Sequence, residues 1–338
     1  MMRNYRFDYC LLAVLLALPA LGVYPVFAMK VLCFALFACS LNLVLGYTGL
    51  LSFGHAAFFG GAGYFAGYIM RDLGLSPLIG LVAGVATGAA FGLVFGLLAI
   101  RRHGIYFAMI TLAFAQMFYF FCLQAPFTGG EDGLQGVPRN ALFGLSLDRD
   151  LTLYYVVVAI VAATFAFLSR VVASPFGRVL SAIKENEARA ISLGYQVDRF
   201  KLLAFVLSAA VAGLAGALKT LVLGFATLSD VHWMLSGSVI LMTLVGGMGT
   251  RFGPVVGALL IVSLETRLGD IGNALAQWTG WQGFAGLGTM VSVVTGGIFV
   301  LCVLLFRRGM VGEWLDWQQK LTARRTAARH GILSRIGG

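Results

Sequence analysis

From Tyr9 to Phe306 the sequence is a succession of apolar runs, most of them close to twenty residues long and separated by short polar breaks. A run of about 20 apolar residues is what an α-helix needs to cross the hydrocarbon core of a bilayer. Spans are expected near 9–28, 31–46, 52–70, 77–100, 104–124, 152–172, 202–224, 236–250, 253–268 and 288–306. Only 11% of the residues are charged and 59% are hydrophobic, against about 25% charged in a soluble domain. Such a chain has too little polar surface to be solvated by water. The expected class is an all-α polytopic membrane protein of about ten spans, eight if the two short runs after 236 are half-helices. The transmembrane part would occupy residues 1–306 and a basic tail residues 307–338. Arg3 and Arg6 before the first run resemble a signal peptide, but the run is long and another follows at once, so it reads as a retained span.

The basic residues set the orientation. With the amino terminus in the cytoplasm, only Lys30, Arg71, Arg139, Arg149 and Arg267 of the 24 Lys and Arg fall outside, and Lys219 falls within a span. Both termini are then cytoplasmic and the loop 126–150 faces outward. The net charge of +10 gathers at span ends, in a central island and in the tail, which fits a membrane surface and argues against nucleic acid. The five cysteines lie in apolar runs without a CxxC pair and read as packing residues.

The island, residues 174–201, is the most polar stretch before the tail. Pro175 and Gly177 break the chain on entry, a helix is predicted from Arg178 to Leu193, and Gly194 is a C-cap candidate. Val179, Ile183, Ala190 and Ile191 fall roughly on one face, and Glu185 precedes Arg189 by four residues as a supporting pair. Two readings are open: a solvated connection, or an amphipathic helix that docks a cytoplasmic partner.

Elsewhere the pattern points to a path and to packing. Between the second and third spans, Gly46, Gly49 and Gly54 crowd Thr48, Ser52 and His55; irregular backbone in a bilayer persists only where protein or a wet path satisfies it. His55 reads as a hydrogen-bonded interior residue, having no second ligand at i+3 or i+4. Gly80, Gly84, Gly88, Gly92 and Gly96 form a smooth stripe for a crossed helix neighbour, and Ala209, Gly213 and Ala217 repeat the spacing. Gly246, Gly247, Gly249, Gly253 and Pro254 divide an apolar run into two short helices. Lys219, near the outer end of its span, is expected to snorkel. Glu131 and Asp132, the only adjacent acids, either solvate an outer turn or meet a basic partner.

No GxxxxGK[ST], HExxH or GxSxG occurs in the sequence. With neither an ATP site nor paired charges at midspan, the chain is expected to draw energy from elsewhere.

LNLVLGYTGLLSFGHAAFFGGAGYFAGY, the TGGEDGL loop, GRVLSAIKENEARAISLGYQVDRFKLLAFVLSAAVAGLAGAL and LVGGMGTRFGPVVGA occur in this order. Together they resemble the LivM-type permease subunits of branched-chain amino-acid ABC importers. The resemblance implies a bacterial inner-membrane permease that pairs with a LivH-type permease, two cytoplasmic ATPases holding ATP and Mg, and a periplasmic binding protein. It carries no cofactor of its own and is no enzyme. It implies ATPase coupling at Gly177, Arg178, Glu185, Asn186, Glu187 and Gly194, and binding-protein docking at Glu131 and Asp132. Asn42, Ser52, His55, Thr243, Gly246 and Gly247 are the candidate path residues. Ser238 stands where the family often has an acid. Urea or short-amide permeases are close alternatives, and an ion-coupled carrier or channel is a more distant one.

Overall fold

The computed structural model describes residues 24–102, 104–141, 146–279, 291–305 and 309–313, with a few isolated positions besides. The first expected span, near 9–28, lies largely outside the described residues. The chain forms two compact units, one ending at Ile240 and one beginning at Leu241.

In the first unit, α1 (Pro25–Tyr47), α2 (His55–Arg71), α3 (Pro77–Ala99), α4 (Ile105–Gln124) and α5 (Asp150–Ala173) are followed by two short helices, α6 (Pro175–Glu185) and α7 (Glu187–Ser192). Then come α8 (Val197–Leu223) and the start of α9 (Trp233–Gly246). Five of these, α1, α3, α4, α5 and α8, are long and apolar enough to cross a membrane. The starts follow local chemistry: Pro25, Pro77 and Pro175 occupy the first helical positions, where a missing N–H costs nothing. Gly224, left-handed at φ 77°, ends α8.

α8 is the centre of this unit and packs on α1, α2 and α3, while α5 packs on α1. The most apolar stretch of α1 is 94% buried, against 33% in α3 and α4 and 28% in α5. α1 is therefore an interior helix, and the other three leave most of their surface exposed.

The glycine stripe of α3 meets α8. Gly84 faces Ala217 and Gly213, Gly88 faces Gly213 and Ala209, Gly92 faces Ala209 and Val206, and Gly96 faces Leu202 and Phe205. A β-carbon on Gly88 would sit 3.0 Å from the Gly213 Cα, so the backbones touch. Since the numbers fall on α8 as they rise on α3, the two helices are antiparallel. The contact lasts four turns, and the neighbour follows the stripe rather than crossing it once, because both helices present small residues at the same four-residue step. On the adjoining side of α8, about 60° round from Gly213, a side chain at Gly216 would collide with the Phe59 carbonyl of α2.

After Gly224 the chain doubles back along α2. Ala226 exchanges two backbone hydrogen bonds of 2.9 Å with Leu134, whose side chain lies against Gly67. Asp230 and Val231 lie against Gly60, and the Ser236 hydroxyl accepts from the Ala56 N–H at 2.8 Å. From Gly67 to Gly60 is about 10 Å of helix, so α9 begins partway along α2 as a discontinuous helix. Its irregular lead-in is buried at Ala226, Asp230 and Val231, as unpaired backbone in a bilayer requires.

In the second unit, the break 247–252 separates the end of α9 from α10 (Gly253–Thr279), and α10 contacts α11 (Val291–Leu305). α10 runs well past the expected 253–268, through Arg267 and Asp270, which pair at i and i+3 across 3.2 Å. Hydropathy alone ends it too early, at its first charged turn.

Candidate functional site

Three places hold the residues singled out by sequence. The first is the island at the end of the bundle that also carries the α1–α2 turn. Ser174 and Pro175 start α6, and Gly177 is pressed against the Val172 backbone with no room for a side chain. The expected single helix from Arg178 to Leu193 is interrupted: Asn186 is extended (φ −157°), and its Oδ1 accepts from the Arg189 N–H at 3.0 Å to cap α7. An asparagine that can cap competes with one that continues a helix. The break lies between Glu185 and Arg189, so they do not sit one turn apart on a common helix.

It also re-aims the apolar residues. Ile183, Ala190 and Val197 form a small core with Val179 and Phe200. Ile191, expected on the same face, is instead 58% exposed, beside Leu193 at 69% and the exposed Tyr195. Gly194 (φ 85°) is the C-cap that sequence predicted, its N–H bonded to the Ile191 carbonyl and the Tyr195 N–H to Ala190. Arg178 and Glu185 are exposed. Glu187 pairs with Lys201 at the start of α8 across 2.7 Å, and the Lys184 Nζ donates to the Gly46 carbonyl of α1 at 2.7 Å. A cleft of about 410 Å³, lined by Glu187, Ile191, Gln196, Val197, Asp198 and Arg199, opens between α7 and α8.

The second place is the interior. Ser52 and His55 are fully buried and Asn42 nearly so. The Ser52 Oγ accepts from the Gly54 N–H at 3.2 Å, holding the start of α2. His55 Nε2 lies 2.9 Å from Ser208 Oγ, which in turn donates to the Ser40 carbonyl at 2.5 Å. Ser208 has one proton and spends it on Ser40, so Nε2 is the protonated nitrogen and donates. Nδ1 is buried without a partner. His55 and Ser208 are thereby joined across α2 and α8, whereas Ser52 serves the turn. Among the described residues no group of three or more His, Cys, Asp and Glu lies close enough to hold a metal ion. In the second unit, Thr243 is buried and Gly246 packs against Gly253 and Gly257. The Gly247 carbonyl accepts from Thr250 Oγ1 at 2.7 Å, and the same hydroxyl accepts from the Gly253 N–H at 3.0 Å. These two glycines bring helix ends into backbone contact.

The third place is the opposite end. Glu131 and Asp132 occupy an exposed 3₁₀ turn, Gly130–Asp132. The loop around them is ordered by the Leu134–Ala226 pairing and by Thr128 Oγ1, which reaches the carbonyls of Cys122 and Ala125 at 2.5 and 2.6 Å.

Lys219 does not snorkel. It is 5% exposed and its Nζ meets Asp230 Oδ2 at 2.5 Å, with the Phe225 ring 4.7 Å away. Thr227 holds the same oxygen through its N–H and hydroxyl, at 2.9 and 3.0 Å. A charge with a fixed buried partner gains nothing by reaching for water. Sequence reasoning missed Asp230 by leaving it in a connecting loop. The signal was Thr227-x-x-Asp230, a capping box spacing eleven residues after a lysine within a span.

Residues 25–304 match the family model described as "Branched-chain amino acid transport system / permease component". The chain is 30% identical over 259 residues to the high-affinity branched-chain amino acid transport system permease protein LivM of Salmonella typhimurium, and 29% identical over 259 residues to LivM of Escherichia coli. Each alignment covers 68% of this chain and 60% of the relative, so the chain matches about three fifths of their length. It is also 29% identical over 189 residues to the xylose transport system permease protein XylH of Haemophilus influenzae, covering 54% of this chain and 43% of that protein. No solved structure gives a significant match. The apolar helices, the buried discontinuous segment and a family match over most of the sequence agree: this chain is a membrane protein and belongs to the branched-chain amino acid transport permease family.

Proposed function

We propose that this chain is a transmembrane permease subunit of a binding-protein-dependent ABC importer in a bacterial inner membrane, with both termini cytoplasmic. It moves branched-chain amino acids inward with energy from ATP hydrolysed on partner subunits. The partners are a second, LivH-type permease, two cytoplasmic ATPases that bind ATP and Mg, and a periplasmic binding protein. The observation that carries this reading is the α6–α7 island. It is rooted by its own small core, tied to α1 and α8, and leaves Ile191, Leu193 and Tyr195 exposed. Apolar side chains raised on an otherwise charged surface mark a protein contact.

In this reading Gly177, Arg178, Glu185, Asn186, Glu187 and Gly194 shape and present the ATPase contact, and Glu131 and Asp132 receive the binding protein. Ser52 and His55 flank the solute's route in the first unit, with Asn42 on the preceding helix α1. Thr243, Gly246 and Gly247 are the path candidates of the second unit, taken by itself. The route needs few polar groups if selectivity resides in the binding protein. The names of the LivM relatives support branched-chain amino acids; the xylose relative supports a family wide enough to include urea or short amides.

The buried Lys219–Asp230 pair favours one other class, an ion-coupled carrier. Asp230 Oδ2 is, however, held by Lys219 and by both donors of Thr227, the arrangement of a fixed structural brace. Reconstitution with the three kinds of partner decides between them. The expected result is accumulation of leucine, isoleucine and valine only with ATP inside the vesicles and loaded binding protein outside. Uphill uptake by this chain alone on a proton or sodium gradient would refute it.

A further inference from the structure

We propose that Lys184 is the positioning residue through which movement of the island reaches the α1–α2 turn. The proposal rests on the importer reading above. Lys184 is in the last turn of α6, two residues before the Asn186 break. Its Nζ donates to the Gly46 carbonyl at 2.7 Å. Gly46 is in the last turn of α1, where carbonyls lack helical partners and the helix end is negative, so an ammonium group is doubly suited to it. The stem is placed as well: a β-carbon on Gly49 would lie 3.4 Å from Lys184 Cγ. One side chain therefore touches both sides of the turn, its head on Gly46 and its stem over Gly49, which needs φ +76°.

The far side of that turn is fixed from other directions. The Phe53 N–H donates to Thr111 Oγ1 of α4 at 3.2 Å, and the Ala56 N–H to Ser236 Oγ of α9 at 2.8 Å. The turn thus joins α1 to the start of α2, where His55 meets Ser208. Lys201–Glu187 ties the island to α8, and Lys184 ties it to α1. A push on α6 has a short polar route to the segment that carries Ser52 and His55. A coupling of this kind is given content by a contact that two arrangements make differently.

The test uses the complete complex of this chain with its partner permease, ATPases and binding protein in liposomes. Lys184→Met keeps the stem and removes the donor; Lys184→Arg keeps charge and donor. ATPase co-purification, melting temperature, uptake and ATP hydrolysed per solute are measured together. The Met variant should hold its ATPases and its melting temperature while ATP used per solute rises about tenfold, and the Arg variant should restore most of the coupling. Unchanged coupling in Lys184→Met would overturn the proposal. So would loss of the ATPases from both variants, which would make Lys184 a docking residue. If the unsubstituted complex moves solute without ATP, the importer reading itself falls, independently of either variant.

Discussion

Lys201 and Lys219 both belong to α8, eighteen residues and so five full turns apart on one face. They are 3% and 5% exposed, and each meets a carboxylate within hydrogen-bonding distance. The partners differ. The Asp230 side chain is 11% exposed and held by Thr227 besides, whereas the Glu187 side chain is 32% exposed at the first position of α7. Water can replace Lys201 for Glu187 but not Lys219 for Asp230. One helix therefore carries a dry brace toward one end and a wettable link at the other. The wettable link joins the island, the part that has to move in the proposed mechanism.

The sharpest way to break the comparison is Asp230→Ala. It strands an ammonium group in the interior and should cost about 3–5 kcal/mol, seen as a large fall in melting temperature in detergent. Lys219→Met combined with Asp230→Leu should recover most of that loss, since removing both charges removes the reason for pairing. A double variant as unstable as the single one would mean that the carboxylate acts mainly by holding Thr227. Next comes Gly216→Leu, one turn from Lys219, where Phe59 leaves no room. Forcing α8 from α2 there should cost about 1–3 kcal/mol. Hydrogen exchange should rise around 224–232 while the Lys201 end stays protected. Equal deprotection at both ends would show that α8 responds as a single rigid rod.

Much of this was legible. α3, α4, α5 and α8 lie close to where apolar run length places them, whereas α1 begins six residues before its expected span and α10 runs eleven past its own; the stripe on α3 and the small residues of α8 announced their contact through a shared four-residue step. Gly194 declared its cap. Centre and periphery could not be read in the same way. α1 and α5 are alike in composition, yet one is almost wholly enclosed and the other mostly bare, because lipid and protein interior select the same apolar residues. The Asn186 break was obscured because helix propensity on both sides outweighed one capping residue. Lys219 misled because a lysine near a span end snorkels by default, and its partner lay beyond a turn that pattern reading assigned to the surface. Glu187 was chosen for ATPase contact, and its tie to Lys201 depended on a fold-back at Gly194 whose direction sequence does not encode.

That tie gives the smallest and most discriminating effect. Glu187→Gln keeps a hydrogen-bond acceptor for Lys201 and removes the charge. The amide oxygen still accepts from Lys201 and the position is partly open to water, so the stability loss should be well below that of Asp230→Ala. High salt should shrink it further, since an exposed charge is screened, while the Asp230 effect should hardly change with salt. Function should respond the other way. Loosening a link that opens and closes alters the balance between island positions, so basal ATP hydrolysis in the assembled complex should shift before stability does. If Glu187→Gln destabilises the chain as much as Asp230→Ala, both lysines are braces, and the island is not held at this point by a contact that can be remade.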